Sequence, residues 1–201
     1  MPSHRLDRAF FARSPAVVAP ELVGATLVVG EVRARLVEVE AYLGSDDPAS
    51  HAFRGRTPRA AIMFGQAGRL YVYLSYGMHH CANVVCDADG TAGAVLLRAA
   101  HVEAGVSVAR RRRTRPGALR AIRDPSLLSG PGNLCRGLGL DLSANGCDVC
   151  GPAGPAHLES SADLAEAPIV DAVPRVGISR AIDAPLRFVW RGHPAVSARP
   201  R

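Results

Sequence analysis

The sequence contains no lysine, and all 24 of its basic residues are arginine. This absence excludes lysine Schiff bases, lysine general bases and the lysine of a P-loop. An amino-terminal amine remains, and Pro2 would supply a secondary amine if Met1 were removed. A lyase step through Pro2 therefore stays open as an alternative that no other residue supports.

Long apolar runs are also absent. No stretch approaches the roughly 18 apolar residues of a membrane span. The amino-terminal segment is interrupted by Pro15, Pro20 and Glu21 where a signal peptide would need its apolar region. At 201 residues and 48% hydrophobic composition, we expect one domain over 1–201, with a flexible tail over 193–201.

Cysteine is scarce and odd in number, with five residues in the chain. Free thiols in a reducing compartment are therefore expected. The spacing Cys147-x-x-Cys150 is half of a zinc site, but no second pair follows it, and its Gly/Pro-rich loop is atypical of a redox motif. We expect no metal and no cofactor, and the role of the loop Ser143–Ala156 stays open.

Positive charge is in excess, with a net charge of +6 and an isoelectric point near 9.5. One interpretation is coding bias, since Ala, Gly, Arg and Pro are abundant as in a GC-rich genome. The other is a polyanionic partner such as nucleic acid. The run Arg110–Arg113 likewise fits either a solvated helix face or a phosphate-contacting patch.

Apolar and alternating segments predict strands that follow one another as hairpins rather than as βαβ units, which favours one α+β domain on an antiparallel sheet. The predicted strands are 25–30, 34–40, the two arms of 70–86, 94–100, 175–179 and 186–192. Helices are predicted at 5–11, 103–113 and 132–140.

The hairpin 70–86, LYVYLSYGMHHCANVVC, has an unusual tip. Gly77 suits a tight turn, but Tyr76 stands where hairpins usually carry Asn, Asp or Gly. All four tyrosines of the chain lie between positions 42 and 76, and Tyr71 and Tyr73 share one strand face. Tyr71 fits a core aromatic equally well.

The segment VEVEAYLG places Glu38 and Glu40 on one face of a strand, with Val37, Val39 and Ala41 on the other. An exposed edge strand would account for both carboxylates. Alternatively, the end of a strand that opens into a loop is a rigid mount for a catalytic group.

Five motifs in order resemble the alkyladenine (3-methyladenine) DNA glycosylase family almost from end to end. They are VEVEAYLGSDDPASHAFRGRTPR, MFGQAGRLYVYLSYGMHHCANVV, GAVLLRA, GPGNLC and RVGISRAIDAPLRFVWRG. The resemblance implies a curved antiparallel sheet with surrounding helices and a protruding hairpin that inserts into DNA. Asn133 departs from the pattern, since relatives often carry a lysine there, and we expect one phosphate contact to be missing.

The resemblance also implies roles for individual residues. Glu40 matches the general base that activates water against C1′ of the damaged nucleotide, and Arg98 matches an arginine near that water and the target phosphate. Val176 matches a residue whose backbone carbonyl holds the water. Other residues match the pocket that receives the flipped base, namely Tyr42, Ala49, His51, Tyr73 and Asn83. The hairpin residues Tyr76, Met78 and His79 match an intercalating wedge and its minor-groove neighbours.

The implied activity is a monofunctional glycosylase that excises alkylated or deaminated purines, among them 3-methyladenine, 7-methylguanine, hypoxanthine and ethenoadenine, from double-stranded DNA. We expect a monomer without membrane contact in a bacterial cytoplasm, associated with the nucleoid. Two alternatives stay open. A non-catalytic damage-binding protein would keep the pocket without needing Glu40, and a zinc-dependent nucleic-acid-binding module would rest on Cys147 and Cys150.

Overall fold

A computed structural model describes residues 4–114, 117, 121–152 and 154–197. Within these residues the chain forms four α-helices, nine strands and four short 3₁₀ helices. The helices are α1 Arg8–Phe11, α2 Pro15–Leu22, α3 Val106–Arg113 and α4 Pro131–Leu138. The strands are β1 Thr26–Val29, β2 Val32–Tyr42, β3 Leu70–Ser75, β4 His79–Val85, β5 Ala94–Ala104, β6 Leu128–Ser129, β7 Ala156–Glu159, β8 Val170–Val173 and β9 Arg187–Trp190.

The strands pair antiparallel in one open sheet of order β3-β4-β5-β2-β1-β7. β2 is central, since β5 pairs along one side of it while β1 and β9 share the other. β8 extends the sheet from β9, and β6 pairs with β5. The predicted α+β class with an antiparallel sheet is confirmed.

One face of the sheet carries the main core, where β2 contributes Leu36, Val39 and Ala41 and helices α2 and α4 cover the strands. The opposite face carries a smaller cluster built on Met63 and Tyr71. Alternation along each strand divides its side chains between these two faces. Polar groups on the second face therefore lie outside the main core.

β2 contains an irregularity that changes its alternation. Its register with β5 shifts between Leu36 and Glu38 and again after Glu38. Val37 consequently packs with Ala99 and Ala195 in a cluster of its own rather than in the main core with Val39. The prediction that Val37 shares a face with Val39 and Ala41 is therefore wrong.

Other local predictions also differ from the structure. α2 was not predicted, although Pro15 occupies the first turn of this helix, where proline is favoured. Arg175–Ser179 is not a strand but a loop beyond β8. The tail is not loose over residues 193–197, because Ala195 is buried and Ser197 bonds to Glu38; residues 198–201 lie outside the described part of the chain.

The loop Ser143–Ala156 runs beside the outer edge of β3. The backbone groups of Leu70 exchange hydrogen bonds with Gly146 and Cys147, both at 2.8 Å. A loop in this position covers an edge strand that would otherwise offer unpaired backbone groups. Cys147 and Cys150 are free thiols, and the described residues contain no group of three or more His, Cys, Asp or Glu placed to hold a metal ion.

Across the described ranges, every helix is too short or too polar to cross a bilayer.

Candidate active site

A row of side chains across four strands forms the floor of the candidate site. The register pairs Glu40 of β2 with Leu96 of β5, Leu96 with Asn83 of β4, and Asn83 with Tyr71 of β3. Directly paired residues of an antiparallel sheet point to the same face. Strand pairing alone therefore brings together residues that are up to 56 positions apart in the sequence.

This floor opens into a pocket of about 600 Å³. Nine of the eleven site residues expected from the resemblance line it, and these are Glu40, Tyr42, Ala49, His51, Tyr73, Tyr76, Asn83, Arg98 and Val176. The other two, Met78 and His79, line a neighbouring groove of about 890 Å³ between the hairpin and α4.

Glu40 is fully buried at the base of this pocket, and both of its carboxylate oxygens are held. The hydroxyl of Tyr42 donates to Oε2 at 2.9 Å, and the backbone N–H of Val176 donates to Oε1 at 2.9 Å. The guanidinium of Arg98 lies 3.3 Å from Oε1. The nearby positive charge and these hydrogen bonds offset the cost of burying the Glu40 carboxylate away from bulk water.

Glu38 is also fully buried, so the interpretation as an exposed edge face is wrong. Its carboxylate accepts from Arg98 Nε at 2.9 Å and from Arg187 at 3.1 Å. Burial alone would raise the pKa of Glu38, but the nearby Arg98 and the hydrogen bonds from Ser197 outweigh it and lower that pKa.

Tyr42 is held in place by a buried ion pair. The guanidinium carbon of Arg175 lies 4.7 Å from the Tyr42 ring centroid, and Arg175 binds Asp47 through two nitrogens. Arg175 also donates to the carbonyl of Ala41 at 3.0 Å. Burial and the Glu40 carboxylate raise the pKa of Tyr42, so its hydroxyl keeps the proton that it donates to Glu40.

Three rings meet on the β3 side of the pocket. Tyr71 and Tyr73 are tilted by 34° with centroids 5.3 Å apart, and His51 lies edge-on to Tyr73 at 4.8 Å. The Nδ1 atom of His51 is 3.0 Å from the Tyr71 hydroxyl. Partial burial of the ring and the charge of Arg59 lower the pKa of His51 to about 4, so the imidazole is neutral at pH 7.

Arg59 belongs to the same group, because its guanidinium carbon lies 4.9 Å from the Tyr73 centroid. Burial raises the pKa of Tyr71, and the positive charge of Arg59 opposes that rise. The hydroxyl of Tyr71 can either donate to His51 Nδ1 or accept from it, so the tautomer of the neutral imidazole sets the direction of this hydrogen bond.

The hairpin tip is a strained turn. The N–H of Met78 donates to the carbonyl of Ser75 at 3.0 Å, and Tyr76 and Gly77 both have positive φ, +48° and +68°. This is the pattern of a type I′ turn, which favours Asn-Gly. Tyr76 is 86% exposed and Met78 is 73% exposed, so packing of these side chains does not offset the backbone strain in the free protein.

The family model described as methylpurine-DNA glycosylase matches residues 9–194. The chain belongs to the methylpurine-DNA glycosylase family. Membership confirms the predicted resemblance and, with it, the prediction that the protein is a DNA glycosylase.

Three bacterial relatives cover nearly the whole glycosylase chain. One from Nocardia farcinica is 52% identical over 93% of this chain and 88% of its own length. One from Cutibacterium acnes is 50% identical over 92% and 95%, and one from Mycobacterium tuberculosis is 45% identical over 94% and 92%. All three carry the name "Putative 3-methyladenine DNA glycosylase".

The arginine run of this glycosylase is largely committed to internal contacts. Arg110 binds Asp124 and the carbonyl of Ile122, Arg112 donates to the carbonyl of Leu138 at 2.7 Å, and Arg113 donates to that of Leu127 at 2.8 Å. Arg111 is exposed, and among the described contacts of the run it alone makes no such bond. It therefore fits the interpretation of the run as a solvated helix face.

Sequence reasoning missed the residues that hold the pocket of the glycosylase in shape. Arg59, Arg175 and Asp47 flank the stacking tyrosines, and Arg187 and Ser197 surround Glu38. Their partners are far away in the sequence, so no periodic pattern marks them. Asp47 is the exception, because its side chain accepts a hydrogen bond from the N–H of Ala49 two residues later, a turn pattern typical of Asp that can be recognised in the sequence.

Proposed function

We propose that this glycosylase hydrolyses the N-glycosidic bond of alkylated or deaminated purines that have been flipped out of double-stranded DNA. The carrying observation is a buried, charge-paired carboxylate, Glu40, at the base of a pocket lined by tyrosines. The names of the relatives support 3-methyladenine as a substrate. The breadth proposed beyond it comprises 7-methylguanine, hypoxanthine and ethenoadenine.

Glu40 is proposed as the general base. Breaking the bond between C1′ and the base nitrogen builds oxocarbenium character on the sugar, which a neighbouring carboxylate stabilises while it orients water. Tyr42, Val176 and Arg98 fix the two oxygens before substrate arrives, so little reorganisation accompanies the reaction. The carbonyl of Val176 is proposed to hold the attacking water.

Tyr42 and Tyr73 are proposed to stack on the flipped base. A base between two rings needs a gap of about 7 Å, twice the carbon–carbon contact distance. His51 is only 4.8 Å from Tyr73, so we assign His51 to the edge of the base rather than to a face opposite Tyr73. We assign to His51 the tautomer that is protonated on Nε2, from which this nitrogen donates to an acceptor on the purine.

Asn83 and Ala49 complete the proposed pocket. Asn83 is buried, and its Nδ2 donates to the carbonyl of Tyr71 at 3.0 Å, which fixes the side chain against the pocket floor. A fixed amide here would crowd the 2-amino group of undamaged guanine. Ala49 contributes a backbone contact at the pocket edge.

Tyr76 is proposed as the wedge that fills the gap left by the flipped nucleotide, with Met78 and His79 in the minor groove. Apolar wedges inserted between base steps are a recurrent way to kink and open duplex DNA. An exposed aromatic ring on a strained turn fits this role better than a role in stability. The net charge of +6 favours binding to the negatively charged phosphate backbone of DNA.

We further propose that the protein acts as a monomer in the bacterial cytoplasm, at the nucleoid, and leaves an abasic site without cutting the strand. The absence of lysine from the sequence supports a hydrolase without a lysine-based lyase step.

The test is abasic-site formation on duplexes that contain ethenoadenine, hypoxanthine or 7-methylguanine, and on methylated genomic DNA. The variant Glu40→Gln is expected to lose about 10²–10⁴-fold in single-turnover rate, the range of a general base. Glu31→Gln, the same change at an exposed site in the β1–β2 turn, is the matched control and is expected to keep the wild-type rate.

Inactivity of the wild type on every substrate would overturn the proposed function and favour a damage-binding protein. Equal rates for wild type and Glu40→Gln would remove Glu40 as the base. Strand cleavage before alkali treatment would contradict a monofunctional hydrolase.

A further inference from the structure

Glu38 is buried beneath the pocket without lining it, and its carboxylate accepts hydrogen bonds from two arginines and one backbone N–H. Oε1 accepts from Arg98 Nε at 2.9 Å and from Arg187 at 3.1 Å. Oε2 accepts from the backbone N–H of Ser197 at 2.6 Å. A donor from the far end of the chain thus holds a carboxylate in the centre of the sheet.

The carboxy-terminal segment, residues 193–197, is seated firmly enough to do this. Ala195 is fully buried and packs with Val37 and Ala99, while Trp190 and Val196 flank the cluster. The register shift around Glu38 turns Val37 toward Ala195. The irregularity of β2 and the docking of the segment are therefore parts of one arrangement.

Together these contacts commit all three nitrogens of Arg98. Nε donates to Glu38, one terminal nitrogen lies 3.3 Å from Glu40, and the other donates to Ser197 Oγ at 3.3 Å. A guanidinium is a planar fork whose donors keep fixed directions, so three such partners define its orientation. Ser197 contributes twice, once directly and once by holding Glu38.

We infer that Ser197, acting through Glu38, is a positioning residue that orients Arg98 for base excision. This inference rests on the proposed function, because Arg98 is assigned to the reaction there. Ser197 lies beyond residue 194, where the family match ends. Removing its N–H leaves a buried carboxylate oxygen unsatisfied, and Glu38 and Arg98 then rotate together to find other partners.

The decisive variant is Ser197→Pro, which removes the N–H, compared with Ser197→Ala, which keeps it. Ser197→Pro is expected to lower the single-turnover excision rate roughly 10–100-fold, as expected for a misoriented charged group. Affinity for a lesion duplex is measured by fluorescence anisotropy, with Glu40→Gln added both to the wild type and to Ser197→Pro to prevent turnover. This affinity is expected to change less than about 3-fold on Ser197→Pro, because the DNA-facing surface is intact. Ser197→Ala is expected to lose about 2–3-fold in rate, since it removes the contacts of Oγ but keeps the N–H bond to Glu38.

Two further variants separate positioning from stability. Glu38→Gln keeps an oxygen for Ser197 but removes the charge that pairs with Arg98, and it is expected to reproduce the rate loss of Ser197→Pro. Val29 of β1 lies in the core opposite Val32, the first residue of β2, and Val29→Ala provides a destabilised control far from Glu40. Its rate is expected to equal that of the wild type at a temperature where it remains folded.

Equal rates for Ser197→Pro and Ser197→Ala, with the wild type active, would overturn the inference. So would a rate loss in Val29→Ala as large as that in Ser197→Pro at matched thermal stability. Inactivity of the wild type would instead overturn the proposed function, and the two failures are therefore distinguishable.

Discussion

Replacing Tyr76 with asparagine is expected to make the protein more stable and less active. Tyr76 has a φ of +48° at the tip of the β3–β4 hairpin, where a type I′ turn favours Asn followed by Gly. Its side chain is 86% exposed, so the replacement removes little packing from the free protein.

The size of the effect follows from the backbone. The left-handed conformation costs an ordinary residue roughly 1–2 kcal/mol, and asparagine tolerates it better. We therefore expect Tyr76→Asn to raise the free energy of unfolding by about 1 kcal/mol. For a chain of this length, that gain raises the Tm by roughly 2–4 °C.

The assay has two readouts on the same preparations. Thermal and urea unfolding measure stability, and single-turnover release of ethenoadenine measures function. Tyr76→Phe is the matched control, because it keeps a ring at the same strained position and is expected to leave the Tm unchanged.

Two results would refute this reasoning. A Tm for Tyr76→Asn below that of the wild type would mean that the turn is not strained or that Tyr76 packs in solution. A raised Tm with a wild-type excision rate would leave the strain argument intact and remove Tyr76 as the wedge.

Three further predictions concern the pocket and its supports. Asp47→Asn leaves Arg175 without its buried partner and is expected to lower the free energy of unfolding by about 3–5 kcal/mol at pH 7. Because Arg175 lowers the pKa of Asp47 despite burial, the wild type loses this stability as the pH falls below 3.8, the pKa of aspartate in the unfolded chain. Urea unfolding should therefore show a smaller difference in stability between the two proteins at pH 3 than at pH 7. Gly44→Ala would place a Cβ 2.0 Å from a backbone carbonyl oxygen at a φ of +66° and is expected to lower the free energy of unfolding by about 2–5 kcal/mol. Gly77→Ala has a similar φ of +68° but open space around the new Cβ, and it should lower this free energy by only about 1–2 kcal/mol. Equal losses of Tm in the two variants would contradict the steric argument. Asn83→Ala is expected to raise the release of 7-methylguanine and undamaged guanine relative to hypoxanthine in a base-release assay, and an unchanged ratio would exclude Asn83 as the discriminating residue.

The sheet and most of the pocket residues could be predicted from the sequence. Period-two alternation and tight turns mark strands such as β1, β2 and β5 within a few residues of their observed bounds. The row of Glu40, Leu96, Asn83 and Tyr71 follows once β2, β5, β4 and β3 pair in register. The assignment of individual roles, however, came from the family resemblance rather than from alternation.

The supports of the pocket could not be predicted, because their partners are distant in the chain. Glu38 bonds to Arg187 and Ser197, which lie 149 and 159 positions away. No local pattern records such pairs. Arg175–Ser179 shows the opposite error, since its alternation resembles a strand while the N–H of Val176 serves the Glu40 side chain instead of a ladder.

The docking of the carboxy-terminal segment has a spectroscopic consequence. The sequence contains a single tryptophan, Trp190, and its ring lies 5.2 Å from that of His193 at the start of the segment. Tryptophan emission from this protein therefore originates at the end of β9, beside the segment. A red shift on selective excitation reports solvent entering beside Ala195, which makes the seating of the segment observable without a label and independently of catalysis.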